Sequence, residues 1–232
     1  MDLSRKWQFI FAERARRFKT PHDISHWSKE GFNIRFKAVG QELKRLVKPE
    51  SRILDLGSGP GYYTSLLSNP VLFDYTHAVF KNVRSSKASD RVVGTMQYMP
   101  FKDSSFDGIL CVGVLQCMDL KVEFLENVYN ALKPGGWFLF ETLNAECREL
   151  LDDLNKRDSK RLSQYLNDKS SSESHIVYDD FALYHADRLS ADFAKAKLNV
   201  HAVKWMYPYT LFPRLQMRYY TRCFYLWGRK EI

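Results

Sequence analysis

The chain has 232 residues, of which 45% are hydrophobic and 27% are charged, and its net charge is +8. This is enough for one sizeable core, and no stretch approaches the roughly 18 consecutive apolar residues that a membrane span needs. The first residues lack the pattern of a secretory signal, and four scattered cysteines without a CxxC pair indicate reduced thiols. These features predict a cytoplasmic protein.

The positive charge is concentrated near the N-terminus. Such charge can bind nucleic acid or an anionic membrane, but it can equally be an ordinary solvated surface. No RNA-binding signature accompanies it, so the solvated surface is the favoured interpretation and an acidic partner is the alternative. The basic residues concerned are Arg5, Lys6, Arg14, Arg16, Arg17 and Lys19.

Helices are predicted for the first 49 residues. Apolar residues at helical spacing predict an amphipathic helix over residues 3–18. The start of a second helix is predicted at Thr20, which can serve as its N-cap. Pro21 then takes the first helical position, and Asp23 completes a capping box. Its apolar stripe ends at Lys48-Pro49 and consists of Phe32, Phe36, Val39, Leu43 and Leu46.

Short apolar runs alternate with helical patterns from residue 50 to residue 143. This alternation predicts a doubly wound, Rossmann-like α/β sheet that is mostly parallel. Helices are expected after Gly61, from Thr76 and around residues 124–132. Strands are expected at 53–56, 71–74, 91–94, 106–112 and 137–140.

The last third is less regular. Asn144 is predicted to cap a helix through Leu154, and residues 156–177 are polar and read as a surface segment. A further helix is predicted at 187–198. Strands at 200–207 and 219–227 are predicted to close the sheet as an antiparallel pair. We expect one domain over residues 1–232, with 1–49 as N-terminal helices, 50–143 as the cofactor-binding half, 144–218 as a cap-like substrate-side insertion and 219–232 as the closing strand.

The strongest motif is the glycine-rich turn from Asp55 to Gly61, which lies between a buried strand and a predicted helix. Glycine lets the main chain approach a ligand closely, at the carboxyl ends of the strands. In a dinucleotide fingerprint the third glycine comes three positions after the second, whereas here Gly61 comes two after Gly59. The carboxylate of Asp55 would repel a pyrophosphate, but it suits the ammonium and sulfonium of S-adenosylmethionine.

Asp74 ends the second predicted strand. A carboxylate at that position can accept both ribose hydroxyl protons of a nucleoside. The alternative is an ordinary aspartate at a strand end, and the spacing from the glycine turn favours the functional interpretation.

With these features residues 50–143 resemble the class I S-adenosylmethionine-dependent methyltransferases, and more narrowly the branch called methyltransferase type 11. Besides the glycine turn, Met99–Asp107 is similar to the family's LPF-x-D-x-SFD stretch and Ala131–Gly136 to its LKPGG turn. The resemblance implies S-adenosylmethionine as cofactor and no metal. The implied binding residues are Asp55, Gly57, Ser58, Gly59, Gly61, Tyr63, Asp74, Tyr75, Thr95, Met96, Val112 and Gln116.

One departure from the family lies after the third strand. The family usually has an acid there, which hydrogen-bonds the adenine amino group, and this chain has Thr95. Threonine can still accept a hydrogen bond and Met96 can pack on the purine, so we expect weaker binding or a differently built adenine end. The stretch between the glycine turn and Asp74 is also short.

No catalytic group is named by the sequence, because methyl transfer is an in-line displacement that needs positioning more than a base. Gln116 follows the fourth strand and either faces the transferred methyl or packs in a loop. Trp27 and Arg35 could reach the cofactor's carboxylate, but a packing aromatic and a solvated charge are favoured. Six histidines are interpreted as surface or satisfied core residues and not as catalytic bases: His22, His26, His77, His175, His185 and His201.

Three functions remain open at this stage. The first is methyl transfer to a small-molecule, lipid or sugar acceptor, for which the aromatic residues of 144–218 are either a substrate surface or core packing. The second is an RNA or protein methyltransferase that uses the basic N-terminal helix. The third is a non-catalytic cofactor-binding protein, suggested by Thr95. Neither a membrane span nor a particular oligomeric state is predicted.

Overall fold

A computed structural model describes residues 3–25, 27–83, 90–157, 160, 175–178, 181–206 and 222–231. Its centre is a seven-stranded sheet in the order β3-β2-β1-β4-β5-β9-β8. The strands are β1 Ile53–Leu56, β2 Pro70–Asp74, β3 Asp90–Val93, β4 Phe106–Val112, β5 Leu132–Leu143, β8 Leu198–Met206 and β9 Cys223–Lys230.

The pairing of these strands confirms the predicted fold class. The first five strands pair in parallel, and β9 runs antiparallel to both β5 and β8. Both predicted closing strands are present, with bounds shifted by a few residues. Parallel strands are buried on both faces, which is why β1 and β4 are mostly apolar, with Asp55 and Asp107 as their charged residues.

Helices cover both faces of the sheet. The helices are α1 Leu3–Arg17, α2 Pro21–Ile24, α3 Lys29–Leu46, α4 Val122–Ala131, α5 Arg148–Arg157 and α6 Ala186–Lys195. Apolar side chains of α4 and α6 pack with those of β4 and β5 in one cluster, and α3 packs with β1, β4 and β5 in the other.

The N-terminal helices are largely as predicted. The Thr20 side chain accepts from the Asp23 N–H, and Pro21 is the first helical residue. The second helix is interrupted, however, because α2 ends at Ile24 and Ser28 caps α3 through the Gly31 N–H at 3.0 Å.

The predicted helices next to the glycine turn were wrong in type. Only the 3-10 helix Thr64–Leu66 follows the turn, because just a few residues separate it from the start of β2. The second predicted helix is the 3-10 helix His77–Asn82, and the side chain of Thr76 does not cap it. Short 3-10 turns suffice here because α1 packs against this segment and buries Val79 and Phe80.

Asn144 was also misassigned as a helix cap. Its side-chain Oδ1 accepts from the Glu146 N–H, its backbone forms a bridge to Tyr184, and α5 begins only at Arg148. Strand β5 begins at Leu132, five residues before the prediction, because it pairs with Phe106 of β4 across a bulge.

A small antiparallel sheet was missed. It consists of β6 His175–Tyr178 and β7 Phe181–Tyr184, and β6 falls inside the segment that was interpreted as polar surface. The hydroxyl of Tyr184 lies 3.0 Å from the Leu115 carbonyl oxygen and 3.1 Å from that of Met118. Most of the predicted surface segment, residues 161–174, lies outside the described residues, as does the start of the predicted closing strand, 219–221.

Candidate functional site

A cavity opens at the carboxyl ends of β1, β2 and β4. This is the edge where doubly wound sheets bind ligands. Trp7 and Phe11 of α1 and Trp27, before α3, form part of its wall. The cavity therefore lies between the sheet and the N-terminal helices.

The glycine turn requires glycine at its special positions. Gly57 and Gly59 have φ of +74° and +53°, in the left-handed region that other residues rarely adopt. A Cβ on Gly57 would lie 2.3 Å from Val114 Cγ2, and one on Gly59 would lie 2.8 Å from Tyr62 Cε2. Both glycines line the cavity, so the main chain itself forms this wall.

Asp74 joins the end of β2 to the glycine turn. Its Oδ2 accepts from the Gly59 N–H at 2.8 Å, and its Oδ1 accepts from the Thr76 N–H at 2.7 Å. Burial raises the pKa of Asp74 to about 6, although these two N–H groups act to lower it. Each carboxylate oxygen keeps one lone pair for a further donor, so the side chain can still accept two hydroxyl protons from a ligand.

Asp55 is a buried acid next to this wall. It is 2% exposed, and its Oδ2 has no hydrogen-bond partner. Burial, and secondarily the charge of Asp74, raise the pKa of Asp55 to about 8. An acceptor left unpaired at this depth is costly unless a donor or cation joins it.

Thr95, at the predicted adenine end, is bonded to Gln97. The Thr95 hydroxyl donates to the Gln97 Oε1, and both residues line the cavity. Asn127 of α4 holds this loop through its Nδ2, which donates to the Gln97 carbonyl oxygen at 2.9 Å. Sequence reasoning missed Gln97, although an amide two residues past the position of the family's acid was the available signal.

The structure brings some of the predicted binding residues to the cavity wall and leaves others away from it. Ser58 is buried, Tyr63 stacks on Phe36 with ring centroids 5.7 Å apart, and Gln116 is 7% exposed with its Oε1 unpaired. Those not on the wall are Asp55, Ser58, Gly61, Tyr63 and Gln116. Those on it are Gly57, Gly59, Asp74, Tyr75, Thr95, Met96 and Val112.

Arg35 is not the solvated charge that was predicted. Its side chain is 11% exposed, and its Nε donates to Oε1 of the fully buried Glu141 at 2.9 Å. Burial alone would lower the pKa of Arg35, but the Glu141 carboxylate more than offsets this and the pKa is raised. The guanidinium lies 3.9 Å from the centroid of the Trp27 ring, so this ion pair supports a wall of the cavity.

Two further side chains of the cavity wall were not anticipated. Gln8 of α1 donates from its Nε2 to the Tyr75 carbonyl oxygen at 3.1 Å, which fastens α1 over the end of β2. Cys117 lines the cavity on the opposite side, and burial raises the pKa of its thiol above the ordinary range. The thiol is therefore protonated, which argues against Cys117 as a nucleophile.

The structure also locates the histidines, the potential metal ligands and the aromatic residues of 144–218 relative to the cavity. None of the histidines whose side chains are described lines the cavity, and His26 and the side chain of His175 lie outside the description. No group of three or more potential metal ligands occurs among the described residues. Tyr184 is buried in the core and Trp205 packs on Phe224, whereas Tyr207, Tyr209, Phe212, Tyr219 and Tyr220 lie outside the described residues.

Residues 54–140 match the family model for the methyltransferase domain. The match covers the glycine turn, Asp74 and the parallel strands as far as Phe140 of β5. No helix in the described part of the chain is long and apolar enough to cross a membrane.

Known proteins are similar to this chain over part of their length. A biotin biosynthesis bifunctional protein of Teredinibacter turnerae is 30% identical over 46% of this chain and 17% of its own length. A tRNA U34 carboxymethyltransferase of Nautilia profundicola is 28% identical over 54% of this chain and 49% of its own length. The chain thus spans about half or less of these relatives.

A solved structure shows the same fold over nearly the whole chain. It is a methyltransferase of Thermotoga maritima, described as a possible histamine N-methyltransferase, with a TM-score of 0.63 and 17% identity. It covers 96% of this chain, and this chain covers 99% of it. The likeness supports the fold of the N-terminal helices and of the closing strands as well as of the central sheet.

The residues present fit S-adenosylmethionine. Among the described residues that line the cavity, Asp74 alone carries a charge, and it is an acceptor suited to a ribose diol. The unpaired Oδ2 of Asp55 suits the ammonium of the cofactor's methionine end. A pyrophosphate would find no basic side chain on these walls, so the donor set favours this cofactor over a dinucleotide.

Proposed function

We propose that the chain transfers a methyl group from S-adenosylmethionine to a small-molecule acceptor, a class that includes lipids and sugars. The observation that carries this proposal is the cavity between the glycine turn and α1, with Asp74 at its polar end. The apolar walls near Cys117 favour an acceptor of metabolite size over a folded macromolecule.

Each wall of the cavity has a part in this reaction. When bound, the cofactor supplies a methyl group already activated by the sulfonium. Asp74 would hold the ribose, and Gln97 with Thr95 the edge of the adenine. Asp55, which is buried next to the wall and not on it, would attract the ammonium. Trp27 and Tyr62 would exclude water and align the acceptor, and such alignment supplies most of the rate for an in-line displacement.

The first test is calorimetry with S-adenosylmethionine, with NAD as the comparison ligand. We expect one binding site for S-adenosylmethionine and none for NAD. Transfer of a labelled methyl group to metabolite, lipid and sugar pools then tests catalysis. Absence of any cofactor binding would refute the proposal, and binding without transfer to any acceptor would favour the non-catalytic alternative.

Binding of S-adenosylhomocysteine is expected to release nearly one proton at pH 7. Asp55, with a pKa of about 8, is mostly protonated before binding, and an adjacent ammonium favours its ionised form. Affinity should therefore rise with pH between about 6.5 and 8, by up to about tenfold per unit. Calorimetry in phosphate and in Tris measures the proton, because their ionisation heats differ. Asp55→Asn should abolish the release, and equal heats for the wild type in both buffers would contradict this role of Asp55.

Gln97→Leu is expected to weaken S-adenosylhomocysteine binding about tenfold, because the variant loses a hydrogen bond at the adenine edge and leaves Thr95 without its acceptor. Calorimetry at constant pH measures the change. Tyr98→Ala is the matched control, since the neighbouring Tyr98 side chain is 81% exposed, and it should bind as the wild type does. Equal affinities for all three proteins would remove Gln97 from the site.

A second candidate is methylation of RNA, or less directly of protein, through the basic N-terminal helix. The observation in its favour is the exposure of Arg5, Arg16 and Lys19 along α1. Labelled methyl transfer to total RNA, compared with transfer to the metabolite pool, separates this candidate from the first.

We further propose that residues 1–232 form one domain located in the cytoplasm. Support comes from the single seven-stranded sheet, which takes strands from Ile53 to Lys230. Limited proteolysis tests the domain: a stable fragment that lacks β8 and β9 but still binds the cofactor would contradict it.

A further inference from the structure

A groove runs along the outer side of α1, where this helix packs on the 3-10 helix His77–Asn82. Its walls include the small side chains Ala12, Ala15 and Ala78. Phe9 also lines it and is 66% exposed, the second most exposed large hydrophobic side chain among those described, after Tyr98. An exposed aromatic ring beside a concave surface provides a face on which a planar group can stack.

Basic side chains surround this ring. Arg5, Phe9 and Arg16 share the exposed side of α1, since their spacing of four and seven residues matches helical turns. Lys19, two residues past the end of α1, also lines the groove, and Lys81 adds a cation from the opposite wall. The positions from Arg5 to Arg16 span about 16 Å at 1.5 Å per residue.

The positive charge of α1 is balanced by few acidic side chains. Glu13 is the one carboxylate in the sequence of α1, and it pairs with Arg16 and with Arg17, the latter at 3.5 Å. The surface is therefore strongly basic with an aromatic ring at its centre, and it complements a polyanion.

We propose that this groove binds single-stranded RNA, with a base stacked on Phe9 and phosphates held by Arg16, Lys19 and Lys81. A positive groove combined with an exposed aromatic ring is the arrangement that holds single strands with little sequence preference. An acidic helical peptide needs several apolar anchors, and the groove offers Phe9 and alanines. Stable binding to a bilayer requires more inserted apolar surface than one ring provides.

The groove adjoins the cofactor cavity but is distinct from it. Gln8 and Thr76 contribute to both walls, so RNA in the groove would lie against the outer side of the segment that closes the adenosine end. The inference goes beyond the proposed function, because RNA binding here requires neither methyl transfer nor an RNA acceptor.

Fluorescence anisotropy with a labelled 12-residue oligouridine and the full chain, at 50 and 200 mM salt, tests the inference. Lys19→Glu/Lys81→Glu should weaken binding at least tenfold and flatten the salt dependence, because each lost phosphate contact removes about 0.7 from its slope. Phe9→Ala should weaken binding about tenfold with the slope unchanged. Lys48→Glu/Lys102→Glu is the control, since it changes the net charge equally with exposed lysines outside the groove.

Several results would overturn the inference. These are no RNA binding at 50 mM salt, an equal loss in the control variant, an unchanged affinity for Phe9→Ala, and tighter binding to polyglutamate or to anionic phospholipid vesicles than to RNA. Calorimetry with S-adenosylhomocysteine on the same variants keeps the two proposals separate. Normal cofactor binding shows that the variants are folded, and it leaves the proposed function standing whichever way the RNA result falls.

Discussion

Replacing Asp74 with alanine is expected to weaken binding of S-adenosylhomocysteine about 10³-fold. The variant loses two hydrogen bonds from ribose hydroxyls to a charged acceptor, together worth about 4 kcal/mol in a buried site. Two N–H groups, of Gly59 and Thr76, also lose their acceptor at the edge of the cavity. Calorimetry at pH 7.5, above the pKa of about 6, measures the loss with the wild-type carboxylate ionised.

A ligand comparison separates the ribose contact from a loosened glycine turn. The wild type should bind S-adenosylhomocysteine more tightly than its 2′-deoxy analogue, and Asp74→Ala should bind both equally, as in a double-mutant cycle. Asp103→Ala, an exposed acid outside the cavity, is the control and should behave as the wild type. Retained discrimination between the two ligands in Asp74→Ala would assign the ribose to another residue.

Arg35→Met is expected to lower the free energy of unfolding by about 3–5 kcal/mol, because it leaves Glu141 charged and fully buried without its partner. The Glu141 Oε2 already has no hydrogen-bond partner, so the loss of the arginine leaves only the Cys223 side chain in contact with this carboxylate. Urea unfolding followed by circular dichroism measures the change.

Two variants show whether the charge is responsible. Arg35→Met/Glu141→Leu removes both charges and should recover most of the lost stability. Arg16→Met breaks an exposed pair with Glu13 and should change the free energy of unfolding by at most about 1 kcal/mol. A double variant as unstable as Arg35→Met would show that the stacking of the guanidinium on Trp27 dominates over the ion pair.

The parallel core of the sheet was predictable because the pattern there is local and strong. Strands buried on both faces read as apolar runs, and β4 was predicted with the bounds that it has. The helices at residues 64 and 77 were mispredicted in type because the first occupies a short connection and the second depends on the packing of α1. The small sheet β6–β7 was missed because four-residue strands carry little pattern of their own.

The candidate site likewise contains residues that the sequence predicts and residues that it does not. Asp74 and the glycines could be predicted because a strand, a turn and their spacing place them at one edge of the sheet. Gln97 was not predicted, because only the tertiary structure shows that its Oε1 accepts from the Thr95 hydroxyl at the cavity wall. Arg35 was misjudged because its partner Glu141 is more than a hundred residues away in the chain.

For this protein the sequence by itself determined the class of sheet, the glycine turn and the chemistry that favours a cationic nucleoside cofactor. These follow from residues close together in the chain, whose backbone and burial preferences are local. Only the tertiary structure decided which side chains form the cavity wall, which charges are paired and which face of α1 is exposed. Those outcomes depend on contacts between distant segments, where the cost of burying an unpaired charge or polar atom selects the partner.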